Sequence, residues 1–128
     1  MQAEEKAGSY DFSGKYAASE EVVRANLSKY GNLSVCSLYK GWFADTLARS
    51  PVPYAVRVAF IDCDLAKGTK EVLAGIVPSL TKDGWIFTQD FHIRPVVDLL
   101  SDTSLWRGLA KNPPEICRLG ERLATIRF

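Results

Sequence analysis

The sequence predicts an α/β fold with a mostly parallel sheet, and three observations carry that expectation. Strand-like and helix-like segments alternate along the middle of the chain. Ala55 to Ile61 is almost continuously apolar, broken only by Arg57, which suits a strand covered on both faces as in a parallel sheet. Two strand candidates end abruptly in acid-bearing segments, Asp62-Cys63-Asp64 and Gln89-Asp90, where an open α/β sheet places its ligands.

The elements follow in order. Residues 1–18 are polar and contain glycine, so they read as an arm or loop ahead of a single α/β domain over 19–128. Ser19 suits a helix N-cap, with Glu20 and Glu21 in the first turn, where the helix dipole favours anions. Val23, Leu27 and Tyr30 then share one helical face, and Gly31 follows as a stop. Leu33 to Tyr39 is rich in strand formers and reads as a strand, with Gly41, Trp42 and Phe43 at its carboxyl end. Arg49 to Pro53 is a loop, and Ala55 to Ile61 the next strand. Thr69 to Leu80 carries an apolar stripe at helical spacing, and Pro78 ends or bends it. Lys82-Asp83-Gly84 is a turn before a strand at Trp85 to Thr88. Pro95 fits the first turn of a helix carrying Val96, Val97, Leu99 and Leu100. Glu115 to Phe128 forms an antiparallel hairpin turning at Gly120-Glu121.

The chain has 128 residues, enough for one core. Its 47% apolar and 24% charged residues exclude disorder for most of the length. Sixteen basic against 15 acidic residues leave a net +1, so no basic footprint points to nucleic acid or an anionic membrane. No apolar run approaches the roughly 20 residues of a membrane span. The polar start, with Glu4, Glu5 and Lys6, lacks the apolar stretch of a secretory signal. Cys36, Cys63 and Cys117 are odd in number and lack a Cys-x-x-Cys, which favours three buried, reduced thiols in a cytoplasmic protein over a disulfide framework or zinc site.

Chemistry concentrates at the strand ends. Asp62 and Asp64, two apart, face one crevice if strand conformation persists, and Asp90 ends the neighbouring strand. Three converging carboxylates repel unless a cation joins them or one is protonated, and such oxygen donors suit Mg²⁺ or Ca²⁺. The plainer alternative is that Asp62 and Asp64 solvate a strand end or cap the next helix. His92, the only histidine, lies two residues past Asp90 and is a candidate catalytic group. Trp42 and Phe43 either wall a flat ligand or pack in the core, and Trp85 and Trp106 read as core or helix-packing residues.

Three segments then carry a resemblance. Gly41-Trp42-Phe43-Ala44-Asp45-Thr46-Leu47, Ala59-Phe60-Ile61-Asp62-Cys63-Asp64-Leu65 and Asp83-Gly84-Trp85-Ile86-Phe87-Thr88-Gln89-Asp90-Phe91 closely resemble the macrocin O-methyltransferase family. Ala18 to Leu27 is similar to that family's helix before the Gly-Trp-Phe strand. The resemblance runs from Asp11 to the C-terminus, and three motifs in order at the right spacing make it specific.

It implies a partial class I methyltransferase, Rossmann-like, that uses S-adenosylmethionine to methylate a hydroxyl of a small molecule such as a sugar or natural product. By resemblance, Asp62 is the base for the substrate hydroxyl, and Asp64 and Asp90 are ligands of a divalent metal such as Mg²⁺. The family's acid pair is Gln89-Asp90 here; an amide oxygen still binds a hard cation, with less charge. Gly41, Trp42 and Phe43 become the candidate cofactor-binding residues. The aromatic that follows the family's Asp-Cys-Asp-Leu is Ala66 here.

The family's glycine-rich loop, which cradles the methionine end of the cofactor, has no counterpart. No Gly-x-Gly occurs in the chain. The resemblance is therefore to the C-terminal half of the enzyme, as in a truncated product. It implies a partner as well, either a homo-oligomer or the missing N-terminal half. Leu33 to Tyr39 is expected to pair beside Ala55 to Ile61 or to be completed by a second copy. The rival reading is a non-catalytic binding or interaction module derived from that fold, and the upstream reading frame discriminates the two. A small Mg²⁺-dependent hydrolase has only the acid cluster behind it.

Overall fold

The structure, a computed structural model, describes residues 17–128. The polar arm expected over 1–18 lies outside the described residues except for Ala17 and Ala18, which are exposed and irregular. The chain divides into two compact units, one ending at Gly41 and the other spanning Trp42–Phe128.

The first unit holds helix α1, Glu20–Tyr30. Its boundaries follow the expected chemistry. The Ser19 hydroxyl accepts from the Val22 N–H at 3.3 Å, and the Gly31 N–H closes on the Leu27 carbonyl at 3.0 Å. Arg24 and Glu20 pair across one turn at 2.8 Å. Nothing on this helix is buried. The expected strand at Leu33 to Tyr39 is absent. Leu33–Val35 is instead a 3-10 turn, and residues 36–40 are irregular. Asn32 explains the start of the turn: its side-chain oxygen accepts from the Ser34 N–H at 3.1 Å, which offers the backbone a local partner in place of a ladder.

The second unit is one mixed sheet with helices packed against it. Its elements are α2 (Phe43–Thr46), β1 (Val56–Ile61), α3 (Ala66–Ile76), β2 (Leu80–Thr88), α4 (Arg94–Ser101), α5 (Thr103–Gly108), β3 (Glu115–Arg118) and β4 (Ala124–Arg127). The sheet order is β1-β2-β4-β3. Only β1 and β2 are parallel, and β4 pairs antiparallel with both β2 and β3. The sheet is therefore less parallel than expected, because the C-terminal hairpin contributes half its strands and a hairpin's strands must be antiparallel. The strand expected to pair beside β1 is not part of it, so β1 is an edge strand of this sheet.

Two boundaries moved. Helix α3 begins at Ala66 rather than Thr69, whose buried hydroxyl bonds back to the Leu65 carbonyl at 3.0 Å. It ends at Ile76, and Pro78 sits in the 3-10 turn Val77–Ser79, since proline has no N–H to continue a helix. Lys82-Asp83-Gly84 does not separate two strands. It lies inside β2, where the register against β1 jumps between Val56–Leu80 and Val58–Trp85.

The core lies between one sheet face and helices α3, α4 and α5. It is built from Ile61, Ile86 and Ile126 of the sheet and from Leu73, Val96, Leu100 and Trp106 of the helices. Helix α5 was not foreseen. Asp102 starts it by accepting from the Ser104 N–H at 2.8 Å, and it delivers the buried Trp106, whose indole N–H donates to the Leu100 carbonyl at 2.9 Å. Trp85 is half-buried on the other sheet face, stacked on Phe87 with the Arg127 guanidinium 4.1 Å over its ring. That face is not covered throughout. Val58 and Phe60 are 64% and 62% exposed, against the expectation of a strand buried on both sides.

Helix α2 packs on α3 through glycine. At Gly75 an added Cβ would stand 2.7 Å from the Leu47 Cβ and 2.8 Å from the Leu47 carbonyl oxygen. Backbone cannot yield there, so Gly75→Ala is expected to destabilise the protein by about 1–3 kcal/mol in urea denaturation. Gly108→Ala meets nothing within 4 Å and is the control, expected to be neutral or stabilising. Equal losses at both sites would show that helix propensity, not the α2–α3 approach, sets the effect.

Candidate active site and metal centre

Strands β1 and β2 run parallel and end side by side, with the last ladder contact from the Gln89 N–H to the Ile61 carbonyl at 3.0 Å. Asp62, Asp64 and Asp90 converge there. One carboxylate oxygen from each lies within 4.8 Å of the others. Sequence spacing pointed to this gathering, but by a different route. Strand conformation stops at Ile61, and Asp64 adopts a left-handed backbone with φ 60°. A turn, not strand alternation, brings Asp64 to the cluster, and aspartate is among the few residues that tolerate it.

Asp90 holds the site together. It is 1% exposed, and its Oδ2 accepts from the backbone N–H of Cys63 at 2.8 Å and of Asp64 at 3.1 Å. Its own N–H donates to the buried Thr88 hydroxyl at 3.2 Å. One carboxylate thus ties the end of β1 to the end of β2. Its Oδ1 is buried and has no partner within the protein.

The electrostatics are those of crowded acids. Burial pushes the Asp90 carboxyl above its ordinary value, against the two backbone N–H groups that favour its charge, and the Asp64 and Asp62 charges add to the rise. Asp64 is raised by burial and by Asp62, with the His92 imidazole pulling the other way. Cys63 is half-buried among the three acids, and burial first, then the charge of Asp90, push its thiol up to about 12. It is an inert thiol rather than a nucleophile. The other two cysteines, Cys36 and Cys117, are exposed, not buried as expected.

The segment after Asp90 is fixed by the hairpin. The Phe91 N–H donates to the Arg122 carbonyl at 2.9 Å, and Arg118 donates to the Phe91 carbonyl at 3.0 Å while lying 4.9 Å over its ring. Sequence reading missed Thr88 and Arg118 as positioning residues, since neither belongs to a motif of acids. His92 is half-buried in that segment, and its Nδ1 is buried without a partner.

Gly41, Trp42 and Phe43 do not sit at a strand end, because the strand before them is absent. Gly41 has φ 144°, a conformation open to glycine, and Trp42 opens helix α2. Trp42 is 63% exposed, whereas the Phe43 ring lies against α3, with Cδ2 3.5 Å from where a Gly68 Cβ would stand.

The donor set fits a hard divalent cation. It offers oxygens from three acids, one of them buried and unsatisfied, and nothing within the cluster neutralises them. The family description Macrocin-O-methyltransferase (TylF) matches residues 1–112. The chain belongs to the macrocin O-methyltransferase family. It is 32% identical over 94 residues to the 8-demethyl-8-(2,3-dimethoxy-alpha-L-rhamnosyl)-tetracenomycin-C 4'-O-methyltransferase of Streptomyces olivaceus, covering 73% of this chain and 36% of that enzyme. It is 32% identical over 80 residues to the demethyldecarbamoylnovobiocin O-methyltransferase of Streptomyces niveus, covering 62% of this chain and 30% of that enzyme. This family member thus spans about a third of the length of these curated relatives. Among solved structures it is similar to the O-methyltransferase NovP, with TM-score 0.68 and 25% identity over 87% of this chain and 45% of that one. The TDP-rhamnose 3'-O-methyltransferase CalS11 shares the fold, with TM-score 0.57 and 23% identity over 91% of this chain and 56% of that one. Among the described residues, no helix is long and apolar enough to cross a membrane.

Proposed function

We propose that this chain carries the hydroxyl-activating part of an S-adenosylmethionine-dependent O-methyltransferase that acts on a small molecule, with a sugar or natural-product hydroxyl as acceptor. One observation carries the reading: three carboxylates from two parallel strand ends meet within 4.8 Å, and the most buried of them keeps an oxygen free. The relatives' sugar-bearing substrates support the acceptor class.

A divalent cation such as Mg²⁺ lowers the pKa of a hydroxyl bound to it, and S-adenosylmethionine supplies an activated methyl group. Asp64 and Asp90 hold the cation, with the Gln89 amide oxygen in place of a further acid. Asp62, the exposed member of the cluster, takes the acceptor's proton, and His92 assists at the same edge. Trp42, exposed beside Gly41 and Phe43, walls the cofactor. A cytoplasmic location and assembly with a second copy or a complementing polypeptide belong to the same reading. The rival, a binding module without methyl transfer, is favoured by one feature, the lack of any Gly-x-Gly.

Titration calorimetry with Mg²⁺ or Ca²⁺ tests the site. Weak binding is expected, because Gln89 removes one formal charge from the ligand set, and the heat should vanish in Asp64→Asn. Binding that is unchanged in that variant would remove Asp64 from the ligand set.

A further inference from the structure

Among the described residues, two side-chain polar atoms are buried with no hydrogen-bond partner: Oδ1 of Asp90 and Nδ1 of His92. Buried polar atoms are almost always satisfied, so each orphan calls for a cause. Here the two belong to residues separated only by Phe91, at one strand end beside one cluster of acids. The His92 imidazole is near enough to that cluster to act on the Asp64 carboxyl. The segment that carries it is pinned from both sides. The Phe91 N–H and carbonyl are both held by the hairpin, and the Ile93 N–H donates to the Asp90 carbonyl at 2.9 Å. The imidazole is therefore held at the rim of the acid cluster by backbone, not by any bond from its buried nitrogen.

A single occupant would satisfy both orphans. A carboxylate oxygen and a neutral imidazole nitrogen each offer a lone pair, and a divalent cation takes both. Resting on the metal reading of this site, we infer that His92 joins the carboxylates as a nitrogen donor to the cation. The chain's only histidine thereby turns a site of hard oxygens toward Co²⁺ or Mn²⁺ at the expense of Mg²⁺. Oxygen-only sites suit Mg²⁺ and Ca²⁺, while imidazole favours the later first-row metals. Gln89 works in the same direction, because a neutral amide leaves fewer charges to hold a strongly hydrated Mg²⁺.

The test uses the untagged 128-residue chain, with Co²⁺ and Mg²⁺ as probes in calorimetry. The quantity read is the ratio of the two affinities. It is expected to fall at least ten-fold in His92→Ala, with Mg²⁺ binding within about two-fold of the original. His92→Gln, which keeps a polar side chain in the segment, should behave likewise. Because the chain has one histidine, a contact-shifted imidazole signal in the Co²⁺ form reports ligation without ambiguity and needs no variant. An unchanged affinity ratio, or a ring signal that Co²⁺ merely broadens, overturns the nitrogen donor. If Asp64→Asn still abolishes Mg²⁺ binding in that case, the metal site stands and only the role of His92 falls. If wild type binds neither ion, both fall.

Discussion

Asp90→Asn is expected to leave the cation-free protein as stable as the wild type or more so at pH 7, while Asp90→Ala is about 2–4 kcal/mol less stable than Asp90→Asn. Asparagine keeps an oxygen for the Cys63 and Asp64 N–H groups and removes the charge; alanine leaves both donors without their acceptor, at about 1–3 kcal/mol each. The sign with pH follows from the raised carboxyls of Asp64 and Asp90. Protonation favours the folded state for such groups. Their contribution is fully present below the unfolded carboxyl value of about 3.9 and is lost as pH rises through the higher folded values. In a chelating buffer, wild type should therefore lose ground to Asp90→Asn as pH climbs from 4 to 7. Saturating Mg²⁺ should reverse the order, because a cation bound only to the folded wild type stabilises it by mass action. Thermal denaturation of the three proteins, with and without Mg²⁺, measures all of this. A wild type that gains on Asp90→Asn as pH rises in chelator would show that the two N–H groups, not burial, govern the Asp90 charge.

The parts of the fold that were legible in the sequence are those set by local chemistry. Ser19 and Gly31 bound α1 because a hydroxyl and a glycine each solve one end of a helix. Pro78 and Pro95 mark a stop and a start for the same kind of reason. The C-terminal hairpin was visible in its alternation and turn. What failed depended on partners. Leu33 to Tyr39 has the composition of a strand, but a strand exists only where another strand takes its hydrogen bonds, and Asn32 gives the backbone a local alternative. Ala55 to Ile61 reads as covered on both faces, but burial of Val58 and Phe60 requires a second layer that their own side chains cannot specify. The acid cluster was legible because parallel strands joined by one helix end on the same side. Its detailed support was not. Nothing in a motif says that Asp64 will take a left-handed backbone, or that Arg118 will reach back 27 residues to hold Phe91.

The same division between what is local and what is supplied from elsewhere governs cofactor affinity. The 128-residue chain is expected to bind S-adenosylmethionine no better than millimolar, on the order of 4 kcal/mol. Resemblance assigns the methionine end of the cofactor to a glycine-rich loop and its ribose to an acid after a second strand. The chain has no Gly-x-Gly, and its two parallel strands end in the acids of the metal site instead. What it can offer is an aromatic wall. Trp42 is free to stack on an adenine-sized ring, but Phe43 is turned against Gly68, so the wall is one residue deep. A single aromatic contact of this kind contributes about 0.5–1.5 kcal/mol beyond its buried area. That cannot offset the loss of freedom on binding without polar anchors for the carboxylate and ribose. Saturation-transfer NMR and calorimetry on the chain should therefore show at most weak, Trp42-dependent binding, which Trp42→Ala removes. Micromolar affinity that survives Trp42→Ala would mean that residues 1–16, which lie outside the described structure, supply the anchors that no motif reveals, and that the chain assembles a cofactor site of its own.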